Sequence, residues 1–123
     1  MENLLIPGYT RRIPLKKNNY FLGLWCHKFT PQNIELNFEK KNTFKYHWED
    51  RKKLSKDFNY LQSLNEKIIK KLAKVLNKIH SIDRSENYWR SICYPWLVIY
   101  TASLYDKYET YRLFLKKYKK KKF

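Results

Sequence analysis

Apolar residues between Asp50 and Ile79 recur at alternating intervals of four and three, the pattern of one long amphipathic helix. The positions on this seam are Leu54, Phe58, Leu61, Asn65, Ile68, Leu72, Val75 and Ile79. Four further apolar residues widen the stripe: Leu64, Ile69, Ala73 and Leu76. The sequence therefore predicts a helix over 51–79, roughly 40 Å long, that packs on a globular core rather than in a strict coiled coil.

A second helical pattern follows a polar break at residues 80–84 and predicts a helix over 84–117. Asp83 followed by Glu86 resembles a capping box with Asp in place of Ser or Thr. Pro95 lies inside the pattern and predicts a kink or break near Tyr94. The main stripe of this helix consists of Trp89, Cys93, Trp96, Tyr100, Leu104, Tyr108, Tyr111 and Leu115. The lysine-rich end, residues 116–123, is expected to fray and to stay solvated.

Short apolar and aromatic runs precede the helices and predict strands over 4–6, 20–25 and 43–48. The fold class is accordingly α/β and mostly helical, with two or three short strands followed by two long amphipathic helices. We interpret residues 1–123 as a single segment. These elements expose more apolar surface than they can cover among themselves, so we expect further chain or a partner subunit to complete them.

Composition limits the function classes. A hydrophobic content of 43% excludes general disorder, and the net charge of +16 is compatible with nucleic acid or an anionic membrane as partner. Only six of the 27 basic residues are Arg, the side chain suited to bidentate phosphate and base contacts. The bias toward lysine is equally what AT-rich coding and solubility produce. We therefore predict no specific nucleic-acid site and keep peripheral contact with an anionic membrane open.

Several site chemistries and locations are disfavoured. Cys26 and Cys93 are far apart in sequence, and the N-terminus lacks the features of a signal peptide, so a reducing cytoplasmic location is expected. The uncharged run at 91–105 is too short to span a bilayer. No phosphate-loop, dinucleotide-binding or nucleophile-elbow motif occurs, so no cofactor is predicted. Spacing disfavours a metal site, and the neighbours Cys26 and His27 would point to opposite faces of an extended chain.

The ends of the predicted strands supply the first candidate site. Trp25 ends one strand and His47 and Trp48 end the next, so parallel neighbouring strands would open both motifs onto one crevice. His47 is a candidate general base or a structural residue, and Glu49 is a candidate base or a helix-dipole partner. Arg51 is a candidate phosphate contact at the N-terminus of the long helix. Asp50 is interpreted as the N-cap of that helix.

A second candidate cluster is Tyr88-Trp89-Arg90. Aromatic faces and a guanidinium could bind a sugar and its phosphate. The alternative is that Trp89 belongs to the core and that Arg90 pairs with Glu86 one turn earlier. His80 is interpreted as a structural residue at the end of the first helix.

Five motifs carry a resemblance to a known family. They are FLGLWC at 21–26, YHWEDRKKL at 46–54, LNKIH at 76–80, YWR at 88–90 and PWL at 95–97. In this order and spacing the chain, from about residue 20 to about residue 114, resembles the N-terminal part of a transferase family encoded in bacterial surface-carbohydrate loci, notably those for O-antigen and lipopolysaccharide. Members of that family are several times longer. The resemblance implies a larger Rossmann-like, glycosyltransferase-like domain, and no catalytic residues are carried over from it.

The resemblance gives the leading interpretation: an N-terminal segment of a cytoplasmic transferase that acts in sugar transfer for surface polysaccharide and is not active alone. Its implied partners are a nucleotide-sugar donor, a glycan acceptor and the missing C-terminal region or a partner subunit. Two alternatives remain. One is a non-enzymatic helical interaction module, and the other is a basic binder of nucleic acid or a membrane surface.

Overall fold

A computed structural model describes residues 3–8, 18–27 and 42–123. The chain divides into two compact units. The first, which we call the sheet unit, comprises residues 1–49 and 109–123, and the second, the hairpin unit, comprises residues 50–108. Two strands, β1 (Leu4–Ile6) and β2 (Asn19–Phe21), and two helices, α1 (Arg51–His80) and α2 (Glu86–Lys117), form the regular structure. The prediction of a mostly helical α/β chain with two long helices is confirmed.

The sheet unit is built on a parallel pair of very short strands. β1 and β2 pair in the register Leu4 to Asn19 and Ile6 to Phe21. Around this pair lies one apolar core made of Ile6, Tyr20, Phe21, Leu22, Cys26, Phe44 and Phe114. Phe114, on the last turns of α2, is fully buried there. The core thus draws on residues from both ends of the chain.

The predicted strand over 20–25 is wrong beyond Phe21. The amide of Leu22 still donates to the carbonyl of Ile6, and the chain then turns into a 3-10 helix at Leu24–Cys26. Cys26 reaches the core through this turn, because its amide bonds back to the carbonyl of Gly23. Tyr20, Phe21, Leu22 and Cys26 are buried in this run while Leu24 and Trp25 are exposed, so an apolar and aromatic composition does not by itself distinguish a strand from a turn.

The predicted strand over 43–48 is also wrong. Thr43 makes only an isolated parallel bridge to Phe21, and the amide of Phe44 donates to the carbonyl of Phe21. The chain then forms a 3-10 helix at His47–Glu49, in which Glu49 bonds back to Tyr46. This turn leads directly into α1, so no residues are left to extend the pairing.

The basic end of the chain packs on the sheet unit instead of fraying as predicted. α2 ends at Lys117, and the ring of Tyr118 contacts the ring of Tyr20 edge-on, with centroids 5.0 Å apart. Phe123 contacts the rings of Tyr20 and Phe114 at 5.3 and 5.2 Å. The ammonium group of Lys121 donates to the hydroxyl of Tyr20. The rings of Tyr118 and Phe123 hold this segment on the core, while the lysine side chains stay exposed.

In the hairpin unit, α1 and the first part of α2 run antiparallel. Asp57 contacts Tyr105, Asn65 contacts Thr101, and Asn77 contacts Trp89, so the partners descend along α2 as they ascend along α1. Asp50 caps α1 as predicted, accepting from the amides of Lys52 and Lys53 at 2.9 and 3.2 Å. Ser81 ends α1 in the left-handed region with φ 53°.

The turn between the helices is held by Asn77. Its side-chain nitrogen donates to the carbonyl of Arg84, and its side-chain oxygen accepts from the backbone amide of Arg84. Ser85 caps α2 through the Tyr88 amide, so Ser85 rather than Asp83 is the N-cap, and α2 starts at Glu86. α2 continues through Pro95 as helix.

The face of α1 that meets α2 differs from the seam that the apolar pattern predicts. The buried positions recur every four residues: Asp57, Leu61, Asn65, Ile69 and Ala73. Phe58 on the predicted seam is 62% exposed, and Val75 and Ile79 are exposed as well. The ridge of α1 can include Asp57 and Asn65 because α2 brings the hydroxyls of Tyr105 and Thr101 to them. A buried polar residue that is paired with another helix does not appear in the apolar periodicity of its own helix.

Candidate functional site

Four rings come together in the sheet unit, and we call them the aromatic cluster: Trp25, Tyr46, His47 and Trp48. The Tyr46 ring is the hub. It meets Trp25 edge-on at 5.8 Å, Trp48 edge-on at 6.0 Å and His47 at 5.1 Å between centroids. His47 and Trp48 are 4.9 Å apart. The cluster therefore unites the ends of the FLGLWC and YHW motifs, as the sequence predicts for Trp25, His47 and Trp48.

Trp25 is the open member of this cluster. Its indole nitrogen donates to the carbonyl of Pro7 at 3.2 Å, yet 43% of the residue stays exposed. The ring lies so close over Gly23 that a Cβ there would overlap it. Gly23 is thus required by side-chain packing, because its own φ of −179° is ordinary extended backbone. The Trp25 indole is therefore partly exposed, and its orientation is fixed by the hydrogen bond to Pro7 and by packing over Gly23.

The two predicted catalytic residues have unlike surroundings. His47 is buried between its ring neighbours, whereas Glu49 is exposed and lies 3.5 Å from the ammonium of Lys45. A general base must reach the proton that it abstracts. Of the two, Glu49 is accessible from solvent, whereas His47 is buried and contacts the rings of Tyr46 and Trp48.

The adjacent pair Cys26 and His27 is not arranged as a nucleophile and its base. Cys26 is a core residue, and burial raises the pKa of its thiol. Burial likewise lowers the pKa of His27, whose Nε2 lies 2.9 Å from the Thr43 hydroxyl and whose ring lies 4.2 Å from that of Phe21. A neutral buried thiol is a poor nucleophile, so these residues support the core.

In the hairpin unit, Arg90 is held by carboxylates. Its two Nη atoms donate to Glu66 at 2.8 and 2.7 Å, and Nη2 also donates to Glu86 at 2.9 Å. The expected pair with Glu86 exists, and the bidentate pair with Glu66 adds to it. Tyr94 donates its hydroxyl to Glu66 at 2.9 Å. Hydrogen bonds from Arg90 and then Tyr94 lower the pKa of Glu66 to about 2.

Trp89 and Tyr88 point to different environments. Trp89 is buried, donates its indole N–H to Asn77 at 2.6 Å and stacks on His80 at 5.7 Å. Tyr88 is exposed, with the guanidinium of Arg84 5.4 Å from its ring centroid. Trp89 and His80 thus serve the helix turn, and Tyr88 is the member of the YWR motif with an open face.

Arg51 is the first residue of α1 and is exposed. The carboxylate of Asp50 already accepts from two amides of that helix end, where a phosphate would otherwise bind. Arg51 lies 26 residues before Asn77, roughly 40 Å away along the helix. It cannot share a small ligand with Tyr88, Trp89 and Arg90.

Comparison with known families decides the affiliation of the chain. A family model described as LIC12162 family transferase matches residues 3–123, almost the whole sequence. The chain belongs to the LIC12162 family of transferases. The prediction of a transferase family is therefore confirmed. No curated protein and no solved structure matches this LIC12162-family chain.

Over residues 3–8, 18–27 and 42–123, no three His, Cys, Asp or Glu side chains are grouped as metal ligands would be. Within the same ranges, no helix combines the length and apolarity needed to cross a bilayer.

Sequence reasoning missed two residues that organise these clusters. Tyr46 lies within a recognised motif, but only the fold shows that it joins Trp25 to Trp48. Glu66 anchors Arg90 from 24 positions away. The antiparallel register set by Asn77 and Trp89 places residue 66 opposite residue 100, so it does not indicate the contact with Arg90.

Proposed function

We propose that this chain takes part in sugar transfer during the assembly of surface polysaccharide, and that the aromatic cluster binds a sugar ring of the donor or acceptor. The match to the LIC12162 transferase family carries this proposal. The geometry of Trp25 supports it, because a rigid and partly exposed indole face suits the apolar face of a pyranose.

In this proposal the other residues of the sheet unit have distinct roles. Glu49 is the candidate general base, and Trp48 extends the aromatic surface beyond Tyr46. His47 holds the rings of Tyr46 and Trp48 in place. In the hairpin unit, Arg51 is the candidate contact for a phosphate through its exposed side chain alone, because Asp50 occupies the amides of that helix end. Tyr88 offers a separate aromatic surface, and Arg90 stays paired with Glu66 and Glu86.

We further propose that transfer takes place in the cytoplasm and requires a C-terminal region with a Rossmann-like nucleotide-sugar domain, on the same or a companion polypeptide. The isolated chain should then bind sugar without turning it over. The test is incubation of the 123-residue chain with a panel of nucleotide-sugars and glycan acceptors, followed by mass spectrometry. Absence of product is expected, and glycosylated acceptor formed by this chain alone would contradict the proposal.

The binding part is tested with a pair of exposed tryptophans. Trp25 and Trp96 are 43% and 59% exposed, and they lie in different units. Saturation-transfer NMR with free pyranoses and nucleotide-sugars should show ligand signals that Trp25→Ala abolishes and Trp96→Ala leaves unchanged. Equal signals from wild type and Trp25→Ala, or equal loss in both variants, would refute the assignment of the aromatic cluster.

A further inference from the structure

The hairpin unit has an exposed apolar row on α2 that the proposed sugar site does not use. We call it the outer row: Tyr88, Ile92, Trp96, Tyr100, Leu104 and Tyr108. These residues follow one another every four positions, and each is between 44% and 65% exposed. Trp96 and Tyr100 stack on one another with centroids 4.8 Å apart and an interplanar angle of 14°. Six consecutive positions of one helical row thus present apolar or aromatic side chains to solvent, over a length of about 30 Å.

A matching row on α1 lies on the same side of the hairpin. The packed ridge of α2 in the hairpin unit comprises Trp89, Cys93, Leu97, Thr101 and Tyr105. The first five outer-row residues each precede one of them by one position, which is a rotation of about 100°. On α1, Leu64, Ile68 and Leu72 stand in the same relation to the buried Asn65, Ile69 and Ala73. In an antiparallel pair, equal rotations in the same sense bring both rows to one side. Tyr60, which begins the α1 row, contacts Tyr105 on the packed ridge of α2, with ring centroids 5.8 Å apart.

The salt bridge between Glu66 and Arg90 lies on the opposite side of the hairpin. Glu66 and Arg90 each follow a ridge residue by one position, and their salt bridge shows that this rotation brings the two helices' charges together. Tyr94 joins them there. The two rows of apolar residues therefore form one continuous surface, which we call the apolar side. At a helix spacing of about 10 Å it covers on the order of 600 Å², the upper end of what monomers expose.

Positive charge borders this surface. Lys67 and Lys71 lie next to the α1 row, a further quarter-turn from α2, and Lys107 directly precedes the last residue of the outer row. The carboxylates of the hairpin unit lie elsewhere. Asp57 is in the buried ridge, Glu66 and Asp106 are on the opposite side, and Asp50, Asp83 and Glu86 are at the helix ends. An apolar face with aromatic residues, basic borders and no acidic residue complements an anionic lipid surface.

The same charges disfavour a second copy of this chain as the occupant. Two copies would bring like-charged borders together, and each carries a net charge of +16. Anionic phospholipid headgroups would neutralise those borders, and Trp and Tyr rings favour the boundary between headgroups and acyl chains. We propose that the apolar side of the hairpin unit docks onto anionic membrane, with α2 lying in the plane of the interface. This inference is independent of the sugar site.

The test is partition of the full chain into vesicles of phosphatidylcholine with one quarter phosphatidylglycerol, compared with phosphatidylcholine alone. We expect binding to the anionic vesicles, a blue shift of tryptophan emission and a steep loss of binding with salt. Ile92→Ser should weaken partition about five- to tenfold, since it removes one inserted aliphatic side chain. Val98→Ser is the matched control, because Val98 is 38% exposed, against 56% for Ile92, and follows the buried Leu97 by one position, which places it on the opposite side of the hairpin.

Charge is tested in the same way. The double variant Lys67→Glu with Lys71→Glu changes the border of the apolar side and should strongly reduce binding to anionic vesicles. The double variant Lys70→Glu with Lys74→Glu changes the opposite side of the hairpin and should reduce binding less. Three outcomes would overturn the proposal. The chain could fail to bind anionic vesicles, Ile92→Ser and Val98→Ser could weaken binding equally, or light scattering could show a dimer that Ile92→Ser dissociates. Circular dichroism confirms that each variant keeps its helices.

Discussion

Replacing Leu61 by Ala should destabilise the chain far more than replacing Phe58 by Ala, although both residues belong to the apolar seam that the sequence predicts. Leu61 is 7% exposed on the packed ridge of α1, whereas Phe58 is 62% exposed. The comparison separates the observed four-residue ridge from the predicted seam. It removes the larger side chain at the position that we expect to matter less.

The magnitudes follow from burial. Leu61→Ala removes three buried carbons, worth about 2.4 kcal/mol of transfer free energy, and the cavity that remains raises the loss to about 3 kcal/mol. Only about a third of Phe58 is withdrawn from water, so Phe58→Ala should cost less than about 1 kcal/mol. With a urea m-value of about 2 kcal/mol per molar, the midpoint should shift by about 1.5 M for Leu61→Ala and by less than about 0.5 M for Phe58→Ala.

Urea titrations followed by circular dichroism at 222 nm measure both midpoints. Unchanged m-values would show that the free energy of unfolding changed rather than the surface exposed. If Phe58→Ala lowered the midpoint as much as Leu61→Ala, α1 would pack through the predicted seam, and the ridge geometry behind the apolar side would be refuted.

Three further predictions concern single side chains. Gly23→Ala should displace the ring of Trp25, so the Trp25 indole N–H resonance should move in an NMR spectrum of the variant, and an unchanged resonance would contradict the packing. Asp50→Ala should cost about 1 kcal/mol in urea unfolding and Asp50→Asn much less, since Asn also caps; equal losses would argue against the cap. Because Arg90 lowers the pKa of Glu66 to about 2, its carboxylate stabilises the fold above its ordinary pKa of 4.5 and loses this effect as the pH falls toward 2. Glu66→Gln should therefore lower the urea midpoint at pH 7, with the difference from wild type vanishing near pH 2, and a constant difference would show that the charge is not responsible.

The helices were predictable because their information is local. Apolar periodicity, the absence of Gly and Pro from 51–79 and the cap at Asp50 all act within a few residues along the chain. Asn65 lies on the predicted seam, but burial of Asp57 was not predictable, since its partner Tyr105 is 48 positions away. The bidentate pair between Glu66 and Arg90 was not predictable for the same reason, because the two residues are 24 positions apart.

The short strands were harder for a different reason. Leu24 and His47 lie in apolar and aromatic runs that look like strands, yet both belong to 3-10 helices. In this unit, aromatic residues fill a core around only three paired positions on each strand. Apolar and aromatic composition there does not distinguish a strand from a 3-10 helix, and the aromatic cluster could be predicted from motif ends while its hub, Tyr46, could not.

The four tryptophans allow the proposed sugar site at the aromatic cluster to be tested in one titration. Their indole N–H resonances can be followed separately by two-dimensional NMR as pyranose or nucleotide-sugar is added. We expect the Trp25 resonance to shift, with a smaller shift for Trp48 behind Tyr46, while the resonances of the buried Trp89 and the outer-row Trp96 stay in place. Saturable shifts at Trp96 or Trp89 without any at Trp25, or no shift at all with any sugar, would contradict a sugar site at the aromatic cluster.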